Sequence, residues 1–190
     1  HIIERAKGEG FRGFVLSVNY LAHMIEDHFG DGSDLGISIQ YVRETEPLGT
    51  AGSLLMAANL IDEPFVVSNG DVISTIQYSD LLEFHKRQHA LATMAVRQYE
   101  WRHPFGVVEL SGHDIVGFVE KPISYCHINA GVYALSPSVL NELNEGEFCD
   151  MPTLFDRVKK KSFKTVAYPL HESWSDIGTP EQLQVLNARV

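Results

Sequence analysis

Along the first half of the chain, segments with apolar residues three and four apart take turns with short apolar or alternating runs, the marks of helices and strands. Residues His1 to Glu9 predict a helix, with Ile2, Ile3 and Ala6 on one side, Glu4, Arg5 and Lys7 on the other, and Gly8 and Gly10 closing it. The run FRGFVLSV, Phe11 to Val18, predicts a strand buried on both faces. A helix over Leu21 to Phe29, the turn-rich GDGSDLG and the alternating ISIQYV of Ile37 to Val42 come next. Gly49 to Leu60 predict a helix, Pro64 to Ser68 a short buried strand, Tyr78 to His89 a helix and Ala92 to Arg97 a strand. That alternation implies a largely parallel sheet with helices on both faces.

After residue 98 the pattern changes, and GVVEL, IVGFVEK and INAGVYAL read as strands joined by short turns, which adds antiparallel pairs. Helices return at Ser136 to Asn144 and Pro152 to Lys161, then a strand at Phe163 to Ala167 and a helix over Thr179 to Ala188 with Pro180 in its first turn. With no repeat and no Pro/Ser-rich linker, residues 1–190 read as one domain of two lobes. The cluster Arg157, Lys159, Lys160, Lys161 and Lys164 reads as a solvated helix end whose charge complements the helix dipole.

Composition narrows the class. The 190 residues are 44% hydrophobic and 21% charged, which excludes disorder, collagen and coiled coil. A chain of this length buries roughly 70% of its unfolded surface and needs no structural metal or disulfide. The net charge of −10 argues against wide contact with nucleic acid or anionic lipid. Cys126 and Cys149 lack a C-x-x-C spacing, which fits a reducing compartment, so the cytoplasm is expected. No apolar run is long enough to span a membrane, and the opening residues do not resemble a secretory leader.

In an open α/β sheet, ligands bind beyond the carboxyl ends of the strands. After Pro64 to Ser68 comes Asn69-Gly70-Asp71, which offers a close backbone approach and a rim carboxylate, or else an ordinary Asx-type turn. After Ile37 to Val42, the segment Glu44 to Gly52 opens a helix with small residues; its free N–H groups suit an anion or a nucleobase edge, or mark a plain helix start. Asp176 in WSDIGTP faces either a ligand or the turn into the next helix, and with Asp71 it forms the carboxylate pair that Mg²⁺ accepts beside water and substrate phosphate. Lys121 after Glu120 reads as a phosphate contact or a surface charge pair, and Asn129 as a hydroxyl-binding amide or a residue beside a bulge.

Taken in order, IIERAKGEGF, FVLSVNY, PLGTAG, NGD, HPFGVVE, FVEKP, INAGVY and WSDIGTP resemble the sugar-phosphate nucleotidyltransferases, the nucleoside-diphosphate-sugar pyrophosphorylases. CDMPTLFDRV and YPLHESWSDIGTP resemble the mannose-1-phosphate guanylyltransferase-like and amino-sugar branch. The resemblance implies a three-layer α/β/α Rossmann-like nucleotide-diphospho-sugar transferase fold with a mixed, mainly parallel sheet. It also implies nucleotidyl transfer from an NTP to a sugar 1-phosphate, giving NDP-sugar and pyrophosphate, with Mg²⁺ as cofactor. It assigns Leu48, Gly49, Thr50 and Gly70 to the nucleotide, Gly106, Glu120, Lys121 and Asn129 to the sugar phosphate, and Asp71 and Asp176 to the metal; Asp71, Lys121 and Asp176 become the catalytic set. A sugar phosphate is already an anionic nucleophile, so catalysis rests on holding two anions in line and neutralising charge at the α-phosphate.

The resemblance also implies a first strand, a glycine-rich loop of the form G-x-G-[ST]-R-L and a Lys-Pro pair ahead of the first helix; these are absent, and Gly8-Glu9-Gly10 closes a helix instead. The expectation is a domain truncated at its N-terminus, with little transfer activity alone. Expected partners are an NTP and a sugar 1-phosphate, with a homo-oligomer allowed and no nucleic acid or membrane. Two alternatives stand beside this: a binding-only regulatory relative, and a glycosyltransferase with a similar core, although the latter's D-x-D is missing. His85 and His89 stand at i and i+4, a zinc spacing, without H-E-x-x-H or a third ligand; G-x-S-x-G and a P-loop are also missing.

Overall fold

The computed structural model describes residues 1–177. Helix α1 (Ile2–Gly8) leads to β1 (Gly13–Val18), α2 (Ala22–Phe29), β2 (Ser38–Arg43) and the single helical turn α3 (Gly49–Gly52), which runs on as a 3-10 segment, Ser53–Leu60. Then come β3 (Phe65–Ser68), β4 (Val72–Ser74), α4 (Tyr78–Gln88), β5 (Ala92–Arg102), the hairpin β6 (Val107–Ser111) and β7 (Asp114–Val119), and the long β8 (Ile123–Leu135). A 3-10 segment, Pro137–Glu142, precedes α5 (Met151–Lys160), β9 (Thr165–Leu170) and β10 (Trp174–Asp176).

The central sheet has the order β3-β8-β5-β9. Because β8 runs antiparallel to both β3 and β5 while β9 is parallel to β5, three of the four strands share one direction and β8 opposes them. Alternate residues of β8 enter different cores. Tyr133 and Leu135 pack with Met151, Leu154 and Val158 of α5, whereas Val132 and Ala134 pack with Tyr78 and Leu81 of α4 and Ala6 of α1. The period-2 pleat therefore puts helices on both faces, the three-layer arrangement the resemblance implies. Each of the fully buried Val, Leu and Met side chains among these contributes about 1.5–3 kcal/mol relative to exposure.

Two smaller ladders flank this sheet. β1 and β2 pair in parallel over a core of Ile3, Ile37 and Ile39, and β4 pairs antiparallel with β10. Beyond the sheet, β5 and β8 continue as a two-stranded ribbon that pairs Arg102 with Ile123, and the β6–β7 hairpin extends from its tip. Among the described residues no helix is long and apolar enough to cross a membrane.

Several expectations need correction. The strand at Phe11 to Val18 is not buried on both faces: β1 is exposed at Gly13, Val15 and Ser17, because among the described residues it pairs only with β2. Gly49–Leu60 gives one α-turn and then 3-10 geometry, and Ser136–Asn144 gives a 3-10 segment opened by Pro137. The strands from Ala92 and up to Leu135 extend further than their apolar runs, since the exposed ribbon is held by ladder bonds and not by burial. β4 and β10 were too short to leave a periodic signal, and Asp176 lies in β10, not in a turn. The helix expected at Thr179 to Ala188 lies outside the described residues.

Candidate active site

A groove of about 1340 Å³ runs between β1 and β3 and opens at the carboxyl end of β3 onto Asn69, Gly70 and Asp71. Four residues expected at the nucleotide and metal sites line it: Gly49, Thr50, Gly70 and Asp71. The loop of residues 48–52 on its wall is held from both ends. Upstream, Glu44 accepts a hydrogen bond from Ser17 Oγ at 2.6 Å on one carboxylate oxygen and from the Leu48 N–H at 2.9 Å on the other. Downstream, Cys149 N–H donates to the Leu48 carbonyl at 2.8 Å, and the Cys149 carbonyl accepts from Ala51 and Gly52 N–H at 2.9 and 3.0 Å. Thr50 Oγ1 accepts from Met151 N–H at 2.9 Å and so ties the loop to the start of α5.

This corrects the reading of an uncovered helix start: two of its N–H groups are bonded to Cys149 before any ligand arrives. The fit demands glycine at position 49. Its φ is +77°, and a Cβ there would lie 2.6 Å from the Cys149 carbonyl oxygen. At Gly70, by contrast, a Cβ would meet nothing within 4 Å, so the backbone there is open to an incoming group.

Asp71 and Asp176, 105 positions apart in sequence, are brought to neighbouring backbone positions. Asp176 lies opposite Val72 in the β4–β10 ladder, and Ile177 N–H donates to the Asp71 carbonyl at 2.9 Å. Asn129 stands at the same end of the sheet: its Oδ1 accepts from Gly131 N–H at 3.0 Å and its Nδ2 donates to Tyr133 Oη at 2.6 Å. The Gly131 carbonyl accepts from Asn69 N–H at 2.8 Å, and Trp174 Nε1 donates to the Ala130 carbonyl at 2.8 Å, so β3, β8 and β10 meet here. Asn129 thus positions the β8 turn toward NGD with one amide hydrogen and one oxygen lone pair engaged, and its other amide hydrogen and lone pair are the ones a ligand could use.

Gly106, Glu120 and Lys121 meet at the base of the β6–β7 hairpin, where a Cβ on Gly106 would lie 3.0 Å from Glu120 Oε2. Lys121 Nζ is 4.0 Å from Glu120 Oε1, and both side chains reach into solvent. Lys121 holds a left-handed backbone, φ +45°, just before Pro122, whose carbonyl accepts from His103 N–H at 3.0 Å. Strain of this kind in a non-glycine residue persists only where surrounding structure imposes it, and it is frequent at ligand sites. Leu48, Asn129, Asp176 and this hairpin-base group stand outside the groove lining itself.

The histidine spacing holds no metal site. Both ring nitrogens of buried His85 face hydroxyls, Thr93 Oγ1 at 2.8 Å and Ser136 Oγ at 2.9 Å, and His89 closes α4 in a left-handed conformation. Among the described residues, no three His, Cys, Asp or Glu side chains group as a metal cage. Sequence reading missed Glu44 as the brace of the nucleotide loop, although its place four residues before Leu48 matched a one-turn closure. It also missed Arg157, taken as part of a solvated basic end, which forms a two-pronged pair with Glu147.

The comparisons agree with this architecture. The family model described as nucleotidyl transferase matches residues 1–190, and the chain belongs to that family. A rice protein named "Probable mannose-1-phosphate guanylyltransferase 2" is 38% identical over 190 residues, which cover 95% of this chain and 52% of that protein. The mannose-1-phosphate guanyltransferase of Yarrowia lipolytica is 35% identical over 196 residues, with 95% and 52% covered. The chain thus spans about half the length of these curated relatives. Among solved structures, HddC from Yersinia pseudotuberculosis complexed with GMP-PN has a TM-score of 0.73 at 23% identity, covering 98% of this chain and 82% of that one. The inositol-1-phosphate CTP transferase from T. maritima has a TM-score of 0.69 at 18% identity, covering 98% and 79%. These structural matches establish the shared fold.

Proposed function

We propose that this chain is the core of an enzyme that transfers a nucleotidyl group from an NTP to a sugar 1-phosphate, releasing pyrophosphate and forming an NDP-sugar. The observation that carries this reading is that the β4–β10 ladder brings the Asp176 backbone beside Asp71, at a groove that Gly49, Thr50, Gly70 and Asp71 line. The sugar phosphate attacks as an anion, so the residues need to align it and screen charge, not to remove a proton. Lys121 supplies a flexible point charge for the sugar phosphate, and the backbone around Gly70 leaves room for the nucleotide's sugar. The relatives named mannose-1-phosphate guanylyltransferases favour a guanine nucleotide and a hexose 1-phosphate as the pair.

The donor set suits Mg²⁺: two hard carboxylates from adjacent backbone positions, without the additional protein ligands a closed cage would supply. Asp71 and Asp176 would hold the ion, which would neutralise charge developing at the α-phosphate. Two strand edges support the reading of a further leading strand. Among the described residues β1 pairs only with β2 and β3 only with β8, and the groove runs along both facing edges. One more strand, supplied by a longer polypeptide and followed by a glycine-rich loop, would join the two sheets and complete the phosphate cradle. We place the enzyme in the cytoplasm, in keeping with two free cysteines.

The test is an assay of the intact protein with GTP, UTP, dTTP, ATP and CTP, sugar 1-phosphates and Mg²⁺, read by NDP-sugar and pyrophosphate release. GTP with mannose 1-phosphate is expected to give the highest turnover, and the 190 residues alone little. Asp71→Asn and Asp176→Asn should each lower kcat by about 10²–10³-fold or more with the fold intact. Full activity in both variants would remove the metal assignment, and absence of any nucleotidyl transfer would sink the reading.

A further inference from the structure

The nucleotide loop takes its shape from Cys149, but Cys149 lies in neither helix nor strand, between the Pro137–Glu142 segment and α5. Something must hold that connecting segment in turn. Arg157, two turns into α5, does so. Its Nη2 donates to Glu147 Oε1 at 2.6 Å, its Nη1 donates to Glu147 Oε2 at 3.1 Å, and Nη1 also reaches the Glu142 carbonyl at 3.1 Å. Asn144 Nδ2 donates to the same carboxylate at 2.6 Å. The guanidinium beside it, then the Asn144 amide, hold the Glu147 carboxyl below the usual carboxylate range.

The fork is aimed at the site. A Cβ on Gly52 would lie 2.8 Å from the Glu147 carbonyl oxygen, so the end of the loop of residues 48–52 rests against the backbone of the residue whose side chain Arg157 grips. Two residues further on, Cys149 makes the three backbone bonds that shape Leu48 to Gly52. The pair lies outside the groove lining, with Arg157 a quarter exposed and Glu147 two-fifths exposed.

We propose that Arg157 and Glu147 are a positioning pair for nucleotide binding: by fixing the segment around Cys149 they hold Leu48, Gly49 and Thr50 in the binding conformation without touching the nucleotide. The proposal rests on the nucleotidyltransferase reading of that loop. A loop ordered in advance avoids the entropic cost of ordering on binding, so its loosening weakens nucleotide affinity and leaves the sugar-phosphate contacts at the hairpin base untouched. A two-pronged pair gives geometric definition that a lysine point charge cannot.

The test is steady-state kinetics on the intact protein with Arg157→Ala, Arg157→Lys, Glu147→Gln and the charge-swapped double variant Arg157→Glu with Glu147→Arg. Arg157→Ala is expected to raise KM for the NTP about tenfold, with kcat and KM for the sugar 1-phosphate within about twofold. Arg157→Lys should raise the same KM about threefold, and the swap should recover part of the loss. Unchanged NTP KM in folded Arg157→Ala overturns the proposal, as does an equal rise in KM for both substrates, which marks a merely structural role. If Arg157→Ala does not fold, Arg157→Lys decides on the same criteria. Wild-type protein without turnover would sink the function itself, whereas active wild type with variants at wild-type KM would sink only the pair.

Discussion

The nucleotide loop and the β6–β7 hairpin both carry residues assigned to substrate, yet they are built in opposite ways. Leu48 to Gly52 are bonded through backbone and one hydroxyl to residues about a hundred positions away, with Thr50 joined to Met151. The hairpin's ladder runs only between its own two strands, and it leaves Leu110, Ile115 and Phe118 open to solvent at 62%, 59% and 74%. One site element is placed by long-range packing and tolerates no change of shape. The other is a local ribbon that presents Glu120 and Lys121 on adaptable side chains. If the proposed assignments hold, a base would meet the preorganised loop and a phosphosugar the adaptable side chains.

The sharpest way to break this contrast is Gly49→Ala. The positive φ and the 2.6 Å approach to Cys149 together predict a loss of about 2–4 kcal/mol or more in chemical denaturation, with loss of NTP binding. A loss under 0.5 kcal/mol would show that the loop is not welded as described.

A smaller effect concerns a buried histidine of α4. Burial, then the nearby Lys86 charge, lowers the pKa of His85, whose ring bridges Thr93 and Ser136. The unfolded chain takes up this proton near pH 6.5 while the folded chain resists it, so stability is full above that value and falls as the pH drops below it. Denaturation midpoints measured from about pH 7.5 to 5 should show this decline, and His85→Gln should flatten it. An unchanged slope in that variant would refute the role.

The smallest effect is expected in the hairpin. Phe118→Ser, at a position 74% exposed, should change stability by less than about 0.5 kcal/mol. A loss above about 2 kcal/mol would mean that this apolar face is packed in the intact protein, and the contrast would then be between two buried regions.

Much of the fold was legible in advance wherever a long periodic segment existed. α4 and the strand over Ile128 to Leu135 follow from apolar spacing. β4 and β10, three residues each, were not legible, because a ladder that short is formed by its partner and not by its own pattern. The same holds for the site. NGD and PLGTAG stood out as turn and loop chemistry, but the brace from Glu44 and the fork from Arg157 resemble ordinary surface charge until folding gives them partners.

By itself, the sequence determined the long periodic elements, which residues are small enough for close approach, and which carboxylates and cations are available. Those are local properties of side-chain size, charge and period. Only the tertiary structure decided that Asp176 of β10 pairs beside Asp71 just before β4, that Cys149 shapes the loop of residues 48–52, and that Arg157 holds Cys149's neighbourhood. The first two depend on hydrogen bonds between positions about a hundred apart and the third on bonds across the connection before α5, and such bonds exist only once hydrophobic burial has brought the elements together.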